Sequence, residues 1–238
     1  MHEISRRLAD RLVNCLNAAS YEMEALCRLA GVWASRDVPT AAVECTVHPR
    51  LLLNPDFVEA RCQSDEHLFL LTMHELWHVL LAHTRLYSRI TPAENIAFDA
   101  IINAGLCREF PGPEYRGFFE GLNPADSFPG LLLRPPVGWP EKPCYPQRWE
   151  GIMRRLYPPP GQNPPLPMYG EILLLEACGT WGEYFLLGDH SGNGAEENAV
   201  HDPLFGELIR RIVAAWPPPP IPRSGRDSGR QLDPFVRR

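Results

Sequence analysis

The sequence predicts an α+β domain, and three observations carry that prediction. Apolar side chains recur at helical spacing through residues 3–34, 64–87 and 91–108. Short segments rich in β-branched residues, 41–47 and 51–53, lie between the first two and read as strands. Fifteen of the 26 prolines fall between Pro111 and Pro167, so regular structure should concentrate in the first half of the chain.

The first helical segment places Ile4, Leu8, Leu12 and Leu16, then Met23, Leu26, Leu29 and Ala30, on one stripe. Gly31 or the Asp37-Val38-Pro39 turn should end it. Ser64-Asp65-Glu66 opens the next helix with a capping hydroxyl and acids in the first turn, and that helix should run to about Tyr87. Thr91 and Glu94 have capping-box spacing, with Pro92 at the tolerated first position; this helix should reach Cys107 or Arg108. The Pro-rich stretch reads mostly as loop, with a short helix near Arg148–Leu156. Order should return at 171–177 and 183–187. A last amphipathic helix, Leu204–Trp216, should stop at Pro217-Pro218-Pro219-Pro220. The expected organisation is a core over 1–110, a Pro-rich loop segment over 111–170, a part packing on the core over 171–216 and a flexible tail over 217–238.

Composition narrows the function classes. At 238 residues the chain can bury a core, and a formal net charge of −6 argues against nucleic acid as the main ligand. The N-terminus has no continuous apolar stretch to act as a signal peptide, and apolar runs such as Leu68–Leu71 are far too short to span a bilayer. Seven cysteines, an odd number with no Cys-x-x-Cys spacing, read as reduced thiols rather than a disulfide framework. The expectation is a cytoplasmic protein with no membrane partner.

The chemistry concentrates at His74-Glu75-Leu76-Trp77-His78, which fits H-E-x-x-H. One helical turn is about 3.6 residues, so residues 74 and 78 share a face and their imidazoles can grip one Zn²⁺. Glu75, one residue on, can reach a water at the metal without becoming a ligand. Three fixed residues coincide by chance in roughly one per cent of chains this long. Here they lie mid-helix among Leu68, Leu71, Leu76, Val79, Leu80 and Leu81, where an unused His-Glu-His cluster would be costly.

A catalytic zinc wants three protein ligands and an open position. His83 lies nine residues after His74, half a turn away on a continuous helix, so it reads as a C-terminal histidine suited to the helix dipole. The following helix offers a polar stripe, Asn95, Asp99 and Asn103, on an otherwise apolar surface. Asp99 is the candidate third ligand; the alternative is a carboxylate that orients an imidazole N–H. Glu94 is weaker, because capping already explains it. Tyr87, Tyr115, Arg85 and His190 are candidates to stabilise an oxyanion.

The segments Asn54-Pro55-Asp56-Phe57, MHELWHVLLAHTRL and NIAFDAIINAGL together resemble the bacterial metallopeptidase domain often joined to a von Willebrand factor A-like domain. The resemblance is tight over roughly residues 38–107 and weaker at Leu187–His190 and Trp216-Pro217. It implies a zincin-like fold with a small β-sheet, an active-site helix and an Asp-bearing helix, and it places His74, His78 and Asp99 at the metal. The expected activity is zinc-dependent hydrolysis of peptide bonds with Glu75 as general base, acting on a protein or peptide substrate. Two alternatives stand beside it: a catalytically silent module that recruits a regulatory protein partner, and a protease autoinhibited by its Pro-rich segment.

Overall fold

The computed structural model describes residues 2–14, 31–44, 50–81, 83, 90–176 and 181–187. The fold is mixed α+β. Among the described residues, helix α1 (His2–Asn14) is followed by strands β1 (Val32–Ala34), β2 (Ala41–Glu44) and β3 (Arg50–Leu53). Helices α2 (Pro55–Arg61), α3 (Asp65–Leu80), α4 (Pro92–Glu109) and α5 (Pro113–Leu122) come next, then α6 (Glu150–Leu156) and α7 (Tyr169–Glu176). No helix among the described residues is long and apolar enough to cross a membrane.

The sheet has the order β1-β3-β2, with β1 parallel and β2 antiparallel to β3. Leu51 and Leu53 point into the core and pair with Val32 and Ala34 on one side and Val43 and Ala41 on the other. Residues 32–34 correct the expectation of a helix to residue 34. Gly31 takes φ 63°, a left-handed conformation that glycine tolerates and that a helix cannot run through, and Val32-Trp33-Ala34 then pairs with Leu51–Leu53. Helical periodicity alone could not register that pairing, because the β3 partner lies nearly twenty residues downstream. Residues 15–30, 45–49 and 84–89 lie outside the described set, as do the expected last helix at 204–216 and the tail.

Local sequence chemistry sets the helix starts. Asn54 caps α2, its Oδ1 accepting from Asp56 N at 3.0 Å, while its Nδ2 donates to Val38 O at 2.8 Å and ties the helix to the loop before β2. Thr91 and Glu94 form the expected reciprocal capping box on α4: Glu94 N donates to Thr91 Oγ1 at 3.2 Å and Thr91 N to Glu94 Oε2 at 2.7 Å.

Helix α4 is the centre of the molecule. From Asn95 to Cys107 every residue is buried, so it has no solvent-facing stripe. It packs against α3 in antiparallel sense, since His74 meets Asn103 while His78 meets Asp99. A Cβ on Gly105 would stand only 3.1 Å from the Trp77 ring, so glycine at this position lets the two helices approach closely there.

The Pro-rich region is more ordered than its composition suggests. It contains α5, α6 and a 3₁₀ turn at Gly130–Leu133, of which only α6 was expected. Proline withdraws backbone donors, leaving carbonyls to be satisfied by other groups. Side chains take that role. Arg108 donates to Leu156 O and Pro164 O, each at 2.9 Å, and also to Arg155 O. Trp139 Nε1 donates to Pro158 O at 2.7 Å, and Arg134 donates to Glu120 O and Asn123 O. The segment is thereby fastened to α4 and lies over it.

Candidate metal centre

Helices α3 and α4 bring His74, His78 and Asp99 to one point. Their side chains are buried, and they form a group able to hold a metal ion. His74 Nε2 and His78 Nε2 lie 3.0 Å apart. Asp99 Oδ1 lies 3.5 Å from the first and 3.3 Å from the second. A tetrahedral zinc with bonds of about 2.0–2.1 Å requires ligand atoms about 3.3–3.4 Å apart, so the triangle is of the right size.

The hydrogen bonds behind these atoms decide their chemistry. Asn103 Nδ2 donates to the Leu133 carbonyl at 2.9 Å; a carbonyl only accepts, so the amide orientation is fixed. Its Oδ1 therefore faces His74 Nδ1, at 2.8 Å, and Nδ1 must carry the proton. That leaves a lone pair on His74 Nε2, directed at His78 Nε2 and Asp99 Oδ1. On the other ligand, His78 Nδ1 lies 2.9 Å from His83 Nδ1, and His83 Nε2 lies 2.6 Å from Tyr169 Oη. With His83 donating from Nε2 to the tyrosine, its Nδ1 accepts from His78, and His78 Nε2 also presents a lone pair. The second carboxylate oxygen, Asp99 Oδ2, accepts from Leu187 N at 3.1 Å.

In that arrangement three electron-pair donors converge, and Asp99 Oδ1 has no hydrogen-bond partner of proper geometry. A single proton on His78 Nε2 could satisfy one acceptor but not both. A cation satisfies all three, which is the test of fit for a metal.

Glu75 lies beside this group with both carboxylate oxygens buried and without a hydrogen-bond partner. Burial first, and then the negative charge of Asp99, push its carboxyl well above the ordinary value of 4.5. Asp99 goes the other way. Its burial alone would raise it, but the charge and contacts of His74 and His78 outweigh that and hold it below the usual carboxylate range. Two neighbouring carboxyl groups shifted in opposite directions within one site is a pattern of functional centres.

The remaining candidates sort as follows. Asn103 orients His74. Asn95, one turn before Asp99, is buried with neither amide atom hydrogen-bonded. Glu94 is the capping residue. Tyr115 packs its ring against Phe69 and Phe110 in the aromatic core. Tyr87, Arg85 and His190 lie outside the described residues. His83 departs from its reading as a dipole-facing terminal histidine. It is fully buried, its ring stacked on Phe98 at 3.9 Å, and it touches His78. The half-turn argument assumed one helix to Tyr87, whereas α3 ends at Leu80 and Leu81 lies in a turn, so the wheel no longer applies.

Comparison with known families now adds its weight. Residues 3–113 match the family described as a putative metallopeptidase domain. The matched segment contains His74, Glu75, His78, Asp99 and Asn103. It does not bear on a von Willebrand factor A-like companion. No curated protein and no solved structure matches the chain.

A stability experiment checks the centre. Zinc at about a hundredfold over its Kd should stabilise the fold by about 2.7 kcal/mol. In a chain of this size that is about 5–10 °C in Tm. A His74→Ala, His78→Ala double variant should show no such shift; an equal shift in that variant, or none in the wild type, would contradict the assignment.

Proposed function

We propose that this protein is a zinc-dependent metallopeptidase with a zincin-like core, in which His74, His78 and Asp99 hold the ion and Glu75 is the general base. The observation that carries the reading is the buried, unpaired Glu75 carboxyl next to three convergent lone-pair donors. A structural carboxyl in that setting would be expected to have a hydrogen-bond partner. Two imidazoles and one carboxylate suit zinc best among the common divalent ions.

When bound, zinc supplies a Lewis acid that polarises the scissile carbonyl and acidifies water. The residues of the chain do the rest. His74 and His78 each present Nε2, because a hydrogen bond at Nδ1 selects that tautomer. Asp99 contributes Oδ1 while Leu187 N–H occupies Oδ2. Glu75, held above its ordinary pKa, takes the proton from the attacking water and passes it to the departing amine nitrogen. A carboxyl with a raised pKa is the stronger base for the first step, and in the second the more basic amine nitrogen takes the proton from it. The substrate class is protein or peptide.

The burial of the centre favours a second reading of the same site. Glu75 and His78 are each only 1% exposed, so a substrate reaches them only after some part of the chain moves. In this version the enzyme is held closed until a partner or a cleavage opens it. Limited proteolysis should then raise peptide hydrolysis; if hydrolysis by the nicked protein stays level or falls, this version is wrong.

For the principal reading, Glu75→Gln should keep stoichiometric zinc and lose about 10²–10⁴-fold in peptide hydrolysis. The metal-free variant should also lose a pH dependence. A carboxyl whose folded pKa is raised stabilises the fold at pH below its unfolded value and loses that contribution as pH climbs through the folded value. Metal-free wild type should therefore weaken above about pH 4.5, its ordinary value, where Glu75→Gln does not. A Glu75→Gln protein that hydrolyses peptides as fast as wild type would sink the assignment.

A further inference from the structure

We propose that the metal centre is completed from outside the matched domain: three groups contributed by residues 133–187 fix the orientation of the three metal-facing side chains, one group to each. The inference rests on the zinc reading above and extends it to residues that no motif marks.

The family match ends at residue 113, yet none of the three side chains is held by that part of the chain alone. His74 is oriented by Asn103, whose amide is itself fixed by the Leu133 carbonyl. His78 is oriented by His83, which contacts the Tyr169 hydroxyl. Asp99 is oriented by the Leu187 N–H. Each contact is made to the atom turned away from the shared point: Nδ1 of each imidazole and Oδ2 of the carboxylate. These groups hold the ligands from behind and leave the face toward a substrate to other parts of the chain.

The path through Tyr169 is the most exacting. An imidazole has two neutral tautomers of similar energy, and only the one with its proton on Nδ1 offers a lone pair at Nε2. His83 can select that tautomer of His78 only if its own Nδ1 is an acceptor, which requires its proton to be on Nε2. The Tyr169 hydroxyl lies 2.6 Å from Nε2, within reach to accept that proton, and is assigned this acceptor role. The His83 ring is also fixed in space, stacked on Phe98 with 17° between planes and edge-on to Tyr169 at 79°. Tyr169 opens α7, and Glu171 anchors that first turn by accepting from Met168 N at 2.8 Å while pairing with Arg155 of α6. His83 and Tyr169 are thus positioning residues, and the ordered Pro-rich region places the second of them.

The test is zinc affinity of the full chain, measured with zinc alone against a chromogenic chelator. Groups that orient a metal ligand from behind typically contribute 10–100-fold in metal affinity. Tyr169→Phe keeps the ring and removes the hydroxyl; its zinc Kd should rise about 10-fold. Asn103→Ala, which cuts the path from Leu133 to His74, should weaken binding similarly. Tyr145→Phe, which removes a partly buried hydroxyl bond to Tyr157 O (2.7 Å) elsewhere in the same region, should bind zinc as wild type does. Imidazole ¹⁵N spectra of the metal-free protein supply a readout that lost packing would not move: His78 protonated at Nδ1 in wild type and a mixture of tautomers in Tyr169→Phe. Wild-type affinity and an unchanged His78 signal in Tyr169→Phe would overturn the inference, as would an equal loss in Tyr145→Phe. A wild type that binds no zinc would instead overturn the zinc reading beneath it.

Discussion

At the middle of this chain two imidazole nitrogens and a carboxylate oxygen face one another within 3.5 Å, with too few protons to go round. Such an arrangement is repulsive unless a cation sits among the three atoms, and it is buried where water cannot dilute the repulsion. Much of the fold serves to keep it in place. Helix α4 is buried on every side so that Asp99 can be presented from within the core. Gly105 lets α3 come close to α4, and the Asn103 amide is pinned at both ends.

The same constraint explains why the Pro-rich region is ordered. A stretch with so many prolines has little means of stabilising itself through backbone hydrogen bonds. Here it is held by side chains that donate to its carbonyls, Arg108 from α4 and Trp139 and Arg134 from within. In return it sets the Leu133 carbonyl against Asn103 and the Tyr169 hydroxyl against His83, the residues that contact His74 and His78. Glu75, left without a partner, is an energetic cost to the fold. Stability is given up at the place where chemistry is expected.

How much of this could be read from the residues follows from range. The His74–His78 spacing, the Thr91–Glu94 capping box and the Asn95, Asp99, Asn103 stripe are local patterns with a helical period, and each was legible. That Asp99 lies opposite the two histidines was legible only as a packing expectation. Strand β1 was hidden, because Val32–Ala34 is a strand by virtue of Leu51–Leu53. Helix α5 was hidden under proline content, although Pro113 sits at a helix start, where proline is tolerated. The place of His83 was not legible, because the helix whose period would fix its direction ends at Leu80. Tyr169 and Leu187 act across more than eighty residues of sequence. The Leu187 contribution is a backbone N–H, which no side-chain pattern can reveal.

The most direct measurement is X-ray absorption at the zinc edge of the zinc-loaded, full-length protein. Four nitrogen or oxygen neighbours at about 2.0–2.1 Å, with the outer-shell scattering of two imidazoles, is the expected result. Sulfur neighbours at about 2.3 Å, or six oxygen neighbours without imidazole scattering, would mean that the metal does not sit between His74, His78 and Asp99.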